Sequence, residues 1–353
     1  MGAETPDRLK RLLIVKMSSI GDIAHALPAV SLIKRHRPDV SIGWVVRARC
    51  ASLLAGNPDL DHVYELPDRG SARDFLGAVR AIRADRYDTA MDMQGLAVSG
   101  LITFLSGARR RIGLDRNREA NLLFLTEGTV PGKDKDRHAI DIQYGFAESV
   151  GVPVERGGIP VQRYLVDGDA AFAEAALKGL PAPVVVLNSG ASTPQKRWNT
   201  ANWIDVGTKL VASGVSVVLL GSAAEKPAVD EIERGIGAGP LVRNIAGQTN
   251  LRQAASVLAR VDLVISGDTG PLHIAVDVGA MCIGIYGPTS PLASGPYGKR
   301  NMVFWKKMEC APCHRRPTCN GQVFCLRAIS SGEVVNAALR MLGGYSHVRK
   351  AGG

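Results

Sequence analysis

The sequence predicts an α/β protein built from two Rossmann-like domains that face each other across a cleft. The first observation is length, because 353 residues favour two domains over one. The second is the alternation of short apolar stretches with helical stretches in both halves, which is typical of a parallel sheet covered by helices. The third is one break in this alternation, near residues 151–168, where glycine and proline mark a linker. We therefore predict domains at residues 1–165 and 166–353.

The elements follow from this alternation in chain order. In the first half the apolar stretches predict strands at 12–16, 41–46, 62–66 and 88–92, with helices at 28–36 and 71–85 between them. In the second half strands are predicted at 182–190, 215–222 and 261–268, and each ends in small residues before a helix. A cysteine-rich segment at 310–325 and a final helix complete the second domain.

Composition limits the classes of protein. The chain has 46% hydrophobic and 22% charged residues, which is ordinary for a folded protein and excludes global disorder. No apolar run reaches the roughly 18 residues needed to span a bilayer, and the N-terminus lacks signal-peptide architecture, so we expect a cytoplasmic protein. The net charge of +10 indicates an acidic partner, either nucleic acid, an anionic membrane surface or a phosphorylated substrate. A solvated basic surface explains the same charge.

A carboxylate follows the first predicted strand. In "LLIVKMSSIGDIAHALPAV" (residues 12–30) a buried strand leads through a turn of small residues into a helix, and Asp22 lies in the turn. Such an acid can simply complement the N-terminal end of the helix dipole. At a strand end that faces a cleft, it can also serve as a general base for a substrate hydroxyl. Because the turn contains only Gly21, it lacks the dinucleotide-binding fingerprint.

The second half contains a better phosphate cradle. In "VISGDTGPLHIAVDVGA" (264–280) a buried strand leads through Asp268 and Thr269 into a helix whose free N–H groups can hold a diphosphate, although a capping turn needs no ligand. "GASTPQKRWNTANW" (190–203) brings Lys196 after another strand, where it is either solvated or part of a clamp for a charged leaving group. Glu225, after a third strand, either starts a helix or accepts hydrogen bonds from ribose hydroxyls.

Four ordered motifs carry a family resemblance. "LLIVKMSSIGDIAHALPAV", "NSGASTPQKRW", "SGDTGPLHIA" and "GIYGPTSP" resemble the family 9 glycosyltransferases, the lipopolysaccharide heptosyltransferases with the GT-B fold. "DMQGLAVSGLI", "DRNREAN" and "RHAIDIQY" are more similar to heptosyltransferase I than to II. The resemblance implies inverting transfer of heptose from ADP-L-glycero-D-manno-heptose to a Kdo residue of the lipid A inner core. It also implies an acceptor-binding first domain and a donor-binding second domain.

The resemblance assigns roles to individual residues. Asp22 matches the proposed catalytic base, and Lys196 matches the lysine near the donor phosphates. The implied donor-binding residues are Ser192, Thr193, Lys196, Glu225, Asp268, Thr269, Gly270 and His273. The implied acceptor-binding residues are Ser18, Ser19, Arg116, Arg118 and His138. Pro271 replaces a leucine found in some members.

The implied partners are the ADP-heptose donor, the anionic Kdo-lipid A acceptor and the inner face of the cytoplasmic membrane, to which the protein would be peripheral. Further candidates for contacts to the anionic acceptor are Arg47, Arg49, Arg69 and Arg73, each of which a solvated surface also explains. We expect no cofactor and no catalytic metal, because the lysine and the helix N-terminus already supply positive charge. The acid pairs "DLD" (59–61) and "DKD" (134–136) resemble metal-binding spacings but lie in a predicted turn and a charged loop.

Four cysteines are grouped late in the chain. Cys310, Cys313, Cys319 and Cys325 have the spacing C-x2-C-x5-C-x5-C. In a cytosolic protein this grouping suggests a structural zinc ion or iron–sulfur cluster more than disulfides, but the spacing is not that of a standard zinc finger, and reduced structural cysteines are the preferred interpretation.

Two other functions stay open. Within the family, the enzyme could use a different donor sugar or add the second heptose, because specificity lies in pocket contacts. In a different class, the basic C-terminal region and the cysteines could belong to a nucleic-acid-binding α/β module. The low aromatic content of 5% speaks against nucleic-acid binding.

Overall fold

The computed structural model describes residues 9–115, 119–132, 137–167, 169–313 and 319–351. The chain divides into two compact units, unit 1 at residues 1–156 and unit 2 at residues 157–353. The sequence places the boundary later, between residues 165 and 166. The intervening residues pack with unit 2, because the Gln162 amide donates to the Asp277 carbonyl at 2.8 Å and the Gly157 amide donates to Tyr297 Oη at 3.1 Å.

Unit 1 is a parallel six-stranded sheet with the order β3-β2-β1-β4-β5-β6. Its strands are β1 (Arg11–Val15), β2 (Ser41–Arg47), β3 (His62–Leu66), β4 (Thr89–Asp92), β5 (Arg110–Leu114) and β6 (Glu127–Val130). Its helices are α1 (Ile20–His36), α2 (Ala48–Ala51), α3 (Ala72–Ala84), α4 (Ala97–Leu105) and α5 (Ala139–Ser149), with a 3-10 helix at Asn121–Phe124. Apolar residues of β1, β2 and β4 pack against α3 and α4 in its core.

Unit 2 is a second parallel six-stranded sheet, with the order β12-β11-β10-β7-β8-β9. Its strands are β7 (Val184–Asn188), β8 (Ser216–Leu220), β9 (Val242–Asn244), β10 (Leu263–Gly267), β11 (Cys282–Tyr286) and β12 (Met302–Trp305). Its helices are α6 (Arg163–Asp167), α7 (Ala170–Leu177), α8 (Thr200–Ala212), α9 (Lys226–Ile236), α10 (Leu251–Leu258), α11 (Gly270–Asp277), α12 (Pro291–Ser294), α13 (Phe324–Arg327) and α14 (Ser331–Ala351), with a 3-10 helix at Pro194–Lys196. Strands β7, β8, β10 and β11 are buried along their whole length, as expected for a sheet covered on both faces.

Each sheet has one point where the strand order reverses direction. In unit 1 this point lies between β1 and β4, where Val15 pairs with Asp92. In unit 2 it lies between β7 and β10, where Asn188 pairs with Ser266. In open parallel sheets the connections leaving the two strands diverge at such a point, and ligands typically bind in the crevice beyond the carboxyl ends of these strands.

The α/β class predicted from the sequence is confirmed, and each predicted strand is present within two residues at either end. Five strands were not predicted: β5, β6, β9, β11 and β12. Strand β5 begins with two arginines and β9 is only three residues long, so neither has a continuous apolar run, and the edge strand β12 is a half-buried apolar stretch of four residues. Strand β11 is fully buried but follows α11 after only a short connection.

In the described ranges, no helix combines the length and the apolar character that crossing a bilayer requires.

Candidate active site

The first cluster of predicted residues lies beyond the carboxyl end of β1. Helix α1 begins at Ile20 with Ser19 as its N-cap, so Asp22 is the third residue of the helix. Asp22 Oδ2 accepts hydrogen bonds from the Ser19 amide at 2.9 Å and from Ser19 Oγ at 2.7 Å. The carboxylate therefore caps the helix, and its side chain is nevertheless 51% exposed, so a substrate hydroxyl can reach it.

The loop between β1 and α1 is held by two residues, Lys16 and Gln94, that were not predicted as site residues. Lys16 is buried at the end of β1, and its Nζ donates to the Met93 carbonyl at 2.9 Å. Gln94 Oε1 accepts from the amides of Met17 at 3.0 Å and Ser18 at 3.2 Å. The signal for Lys16 is a charged residue directly after the apolar run "LLIV", and Gln94 lies in "DMQGL" directly after β4. The loop after β4 thus holds the loop that carries Asp22.

Asp92 ends β4 beside this loop and is fully buried. Its Oδ1 accepts from the amides of Gln94 at 3.1 Å and Gly95 at 2.8 Å. Burial raises the pKa of Asp92, and its hydrogen bonds and the charge of Lys16 oppose that rise only in part.

The residues predicted to bind the acceptor are placed as follows. His138 is the N-cap of α5, and its Nδ1 accepts from the Ile140 amide at 3.1 Å. Its ring lies edge-on to the ring of His25, with 5.8 Å between centroids. Ser18 and Ser19 form the turn before α1. Arg116 and Arg118 lie outside the described residues.

The four further arginine candidates lie on or after β2 and β3, which are on the side of β1 away from β4. Arg47 Nη1 donates to the Pro67 carbonyl at 2.6 Å, and Arg49 forms an ion pair with Asp68. Arg69 and Arg73 are exposed. The acid pair "DLD" serves the fold, because Asp59 accepts from Ser31 Oγ at 2.6 Å and Asp61 accepts from the Ile42 amide at 2.7 Å. The pair "DKD" falls outside the described residues.

The second cluster lies beyond the carboxyl ends of β7 and β10. Lys196 Nζ donates to Asp268 Oδ2 at 2.5 Å, and His273 Nε2 lies 3.5 Å from Asp268 Oδ1. Burial alone would raise the pKa of Asp268, but the hydrogen bond and charge of His273 together with Lys196 hold it well below its usual range. Asp268 is therefore an ionised carboxylate that holds the side chains of Lys196 and His273 near the carboxyl ends of β7 and β10.

Polar side chains connect the carboxyl ends of β7 and β10 next to this cluster. Asn188 Nδ2 donates to Ser266 Oγ at 2.8 Å and to Thr269 Oγ1 at 2.9 Å. Thr269 is the N-cap of α11, whose first residues are Gly270 and Pro271. The amide end of α11 carries partial positive charge and lies directly after Asp268. Asn188 and Ser266 were not predicted as site residues, and the signal for both is a polar residue at the end of an apolar strand.

Glu225 lies against the loop after β7. Its Oε2 accepts from the Ser222 amide at 2.8 Å and from Ser222 Oγ at 2.7 Å. A Cβ atom at Gly190 would lie only 2.3 Å from Glu225 Oε1, so the carboxylate occupies the space that a side chain at this position would need. Ser192 and Thr193 continue the same loop toward Lys196, with Ser192 exposed and Thr193 half-buried. The structure therefore brings Lys196, Asp268, His273 and Thr269 into one cluster and places Glu225 on the adjoining loop.

The four grouped cysteines do not form a metal site in the part of the chain that the structure describes. In that part, no three histidine, cysteine, aspartate or glutamate side chains are grouped so that they could hold a metal ion. Cys325 belongs to the apolar core of unit 2, Cys310 is exposed, and Cys313 and Cys319 are half-buried free thiols. The described residues give no support to the structural zinc ion or iron–sulfur cluster that the cysteine spacing suggested as a possibility.

Sequence comparison identifies the family. The model of glycosyltransferase family 9 (heptosyltransferase) matches residues 76–323. Similar curated proteins are the lipopolysaccharide core heptosyltransferase OpsX of Haemophilus influenzae (26% identity, 83% of this chain and 84% of the relative) and lipopolysaccharide heptosyltransferase 1 of Pseudomonas aeruginosa (28% identity, 88% of each). Lipooligosaccharide heptosyltransferase 2 of H. influenzae is also similar (27% identity, 83% and 87%).

Solved structures share the fold. The Escherichia coli heptosyltransferase WaaC with ADP has a TM-score of 0.72 and 26% identity, covering 94% of this chain and 99% of that one. WaaC with ADP-2-deoxy-2-fluoro heptose has a TM-score of 0.66 and 28% identity, covering 83% and 92%. The E. coli ADP-heptose heptosyltransferase II has a TM-score of 0.77 at 22% identity, covering 95% and 99%, which is a likeness of fold. The match over more than half of the chain and the GT-B fold of its structural neighbours show that this protein belongs to glycosyltransferase family 9, the heptosyltransferases.

Proposed function

We propose that this glycosyltransferase is an inverting heptosyltransferase of lipopolysaccharide core biosynthesis. It would transfer heptose from ADP-L-glycero-D-manno-heptose to a Kdo residue of the lipid A inner core. The observation that carries the proposal is the Lys196–Asp268–His273 cluster at the switch point between β7 and β10, next to the amide end of α11. The relatives named as lipopolysaccharide heptosyltransferases and the WaaC structure with ADP support the choice of donor.

In the donor half, unit 2 would hold the nucleotide diphosphate. Lys196 and the free N–H groups of α11 supply positive charge where a diphosphate would lie, and Thr269 and Gly270 begin that helix. Asp268 keeps the Lys196 ammonium and the His273 imidazole in place, so both groups are already oriented before charge develops on the leaving group. Ser192 and Thr193 offer hydroxyl groups on the neighbouring loop, and Glu225 offers a carboxylate for ribose hydroxyls.

In the acceptor half, Asp22 would be the general base. The acceptor hydroxyl gives its proton to the Asp22 carboxylate while its oxygen forms a bond to the anomeric carbon of heptose. The bond from that carbon to the β-phosphate oxygen breaks, and ADP leaves with the electron pair. Attack from the side opposite ADP inverts the anomeric centre. Ser18, Ser19, His138, Arg116 and Arg118 are the proposed contacts to the anionic acceptor. No metal or cofactor takes part in this proposal.

The runner-up is a family 9 enzyme that adds the second heptose or uses another donor sugar. Relatives of both heptosyltransferase types match this chain with similar identity, 28% for a type 1 enzyme and 27% for a type 2 enzyme. The motifs "DRNREAN" and "RHAIDIQY" favour the first type. A nucleic-acid-binding module receives no support from the family match.

The proposed acceptor lies in the membrane, and we infer that unit 1 binds the cytoplasmic face of that membrane peripherally. Leu123 and Phe104 are large apolar side chains with exposed fractions of 82% and 49%. The Arg111 guanidinium lies 5.4 Å from the centre of the Phe104 ring, and Arg109 is exposed directly before β5. Exposed apolar groups beside arginines suit a surface of anionic lipids. We call these four residues the apolar–basic patch.

Replacing Lys196 by methionine should weaken binding of ADP-heptose by about 10- to 100-fold, because a charge-assisted contact to the diphosphate is lost. Isothermal titration calorimetry measures this, with UDP-glucose and GDP-mannose as competing donors. The matched control is Lys209→Met, since Lys209 forms an ion pair with Asp205 on the surface of the same unit. Wild-type affinity in Lys196→Met would contradict the proposed donor site.

Replacing Asp22 by asparagine should lower kcat by about 10²- to 10⁴-fold with little change in donor affinity, because the base is removed. Turnover with Kdo-lipid A measures this. Asp74→Asn is the control, because Asp74 caps α3 through the same two bonds to Ser71, at 2.8 and 2.7 Å. Equal losses in both variants would mean that capping, not proton transfer, explains the effect.

Replacing Leu123 by serine should reduce co-sedimentation with vesicles that contain phosphatidylglycerol, and binding of the wild type should fall as salt is raised. Leu292→Ser is the control, because Leu292 is a comparably exposed leucine (58%) in unit 2. Unchanged sedimentation of Leu123→Ser, or equal loss in Leu292→Ser, would argue against the apolar–basic patch as the membrane contact.

A further inference from the structure

Lys16 is a buried charged group that the mechanism above does not use. Its side chain is 5% exposed, although it lies at the end of a strand of apolar residues. Burying an ammonium group costs free energy unless it is hydrogen-bonded and paired with negative charge. The groups around Lys16 must therefore offset the cost of burying its charge.

The ammonium of Lys16 is held between two loops at the switch point of unit 1. Its Nζ donates to the Met93 carbonyl, just after β4, and lies 3.9 Å from Asp22 Oδ1. Its backbone is also fixed, because the Lys16 carbonyl accepts from Trp44 Nε1 at 2.9 Å. Both ends of the residue are thus anchored to neighbouring strands, and its charge is directed at the Asp22 carboxylate.

The two oxygens of Asp22 face different partners. Oδ2 is bound by the amide and hydroxyl of Ser19, whereas Oδ1 is the oxygen nearer to Lys16. Asp74 makes the same bonds to Ser71, but the described residues contain no ion-pair partner for it. The capping bonds are therefore common to both aspartates, and the buried ammonium distinguishes Asp22.

We infer that Lys16 is a positioning residue for the proposed base, whose ammonium orients the Asp22 carboxylate and keeps it ionised for reaction with the acceptor hydroxyl. This inference rests on the proposed function, because it takes Asp22 as the base. An opposite charge within about 4–6 Å favours the ionised form of a carboxyl group. The carboxylate that receives the proton would thus be available at lower pH than one without this neighbour.

Other titratable and charged groups surround this pair. They are Asp92 at the end of β4, Cys50 on α2 with the Arg49–Asp68 ion pair beside it, and His25 on α1, which contacts His138 on α5. Burial raises the pKa of Cys50, and the charge of Asp22 adds to this rise. Loss of Lys16 would leave Asp92 without an opposing positive charge, so its carboxyl would become protonated more readily. Both Asp22 and Asp92 would then bind protons at higher pH.

The test is the pH dependence of kcat/KM for heptose transfer to Kdo-lipid A. In Lys16→Met the acidic limb should move to higher pH by about one unit, because the carboxylate loses its positive neighbour. The affinity for ADP-heptose should stay at the wild-type value, since the donor is proposed to bind unit 2. The matched control is Lys34→Met, because Lys34 Nζ donates to the Val40 carbonyl at 2.7 Å and lies 3.6 Å from Asp61 Oδ2 in the same unit. Its acidic limb should coincide with that of the wild type.

A second variant separates charge from hydrogen bonding. Lys16→Gln keeps a donor for the Met93 carbonyl but has no charge, so it should shift the acidic limb as Lys16→Met does. An unshifted limb in both variants would overturn the inference, as would wild-type behaviour of Lys16→Gln alone. If thermal unfolding and ADP binding show that neither variant folds, Lys16 is a structural residue and the inference is also wrong.

Failure of the proposed function has a different signature. It is shown by a wild-type enzyme that transfers no heptose, or by full turnover in Asp22→Asn, whatever the Lys16 variants do.

Discussion

The switch point of each parallel sheet is the constraint on which the rest of the structure depends. Connections leave the two central strands in opposite directions there, so the carboxyl ends of β1 and β4, and of β7 and β10, are not covered by a crossover. Asp22, Lys16 and Asp92 lie at the first of these points, and Lys196, Asp268 and Asn188 lie at the second. Polar groups can be buried at these places because partners from the neighbouring strand satisfy them, as Asn188 and Ser266 do.

At the first point, and beside the second, an acid near the start of a helix is held by a serine three residues earlier and has one further neighbour that bears on its proposed role. Asp22 and Glu225 each accept from the amide and hydroxyl of a serine three residues earlier, as Asp74 does. What differs is the second contact: Lys16 beside Asp22, and the space above Gly190 for Glu225. The bonds to serine are therefore compatible with the roles proposed for these residues. These bonds fix each carboxylate, and the neighbouring lysine or the space above Gly190 distinguishes it from Asp74.

The sequence predicted the α/β class, seven of the twelve described strands and the loops that follow β7 and β10, because apolar runs and their small-residue endings are local signals. It did not predict β5, β9 or β12, whose residues are charged or half-buried and whose pairing depends on the rest of the sheet. It also missed Lys16 and Gln94, because their partners Met93 and Met17 lie about 77 residues away in the chain. The cysteine spacing left a metal site open beside reduced structural cysteines, because spacing alone does not show whether thiols surround one point. The acceptor arginines Arg116 and Arg118 remain predictions from the family resemblance.

The identity and stereochemistry of the product test the proposed transfer of heptose to Kdo-lipid A most directly. The enzyme would be incubated with ADP-heptose and either Kdo-lipid A or the same acceptor already carrying one heptose, and the products would be analysed by mass spectrometry and by NMR of the new anomeric centre. We expect one heptose to be added to Kdo-lipid A with the anomeric configuration inverted relative to the donor. Transfer only to the acceptor that already carries heptose, or retention of configuration, would contradict this expectation.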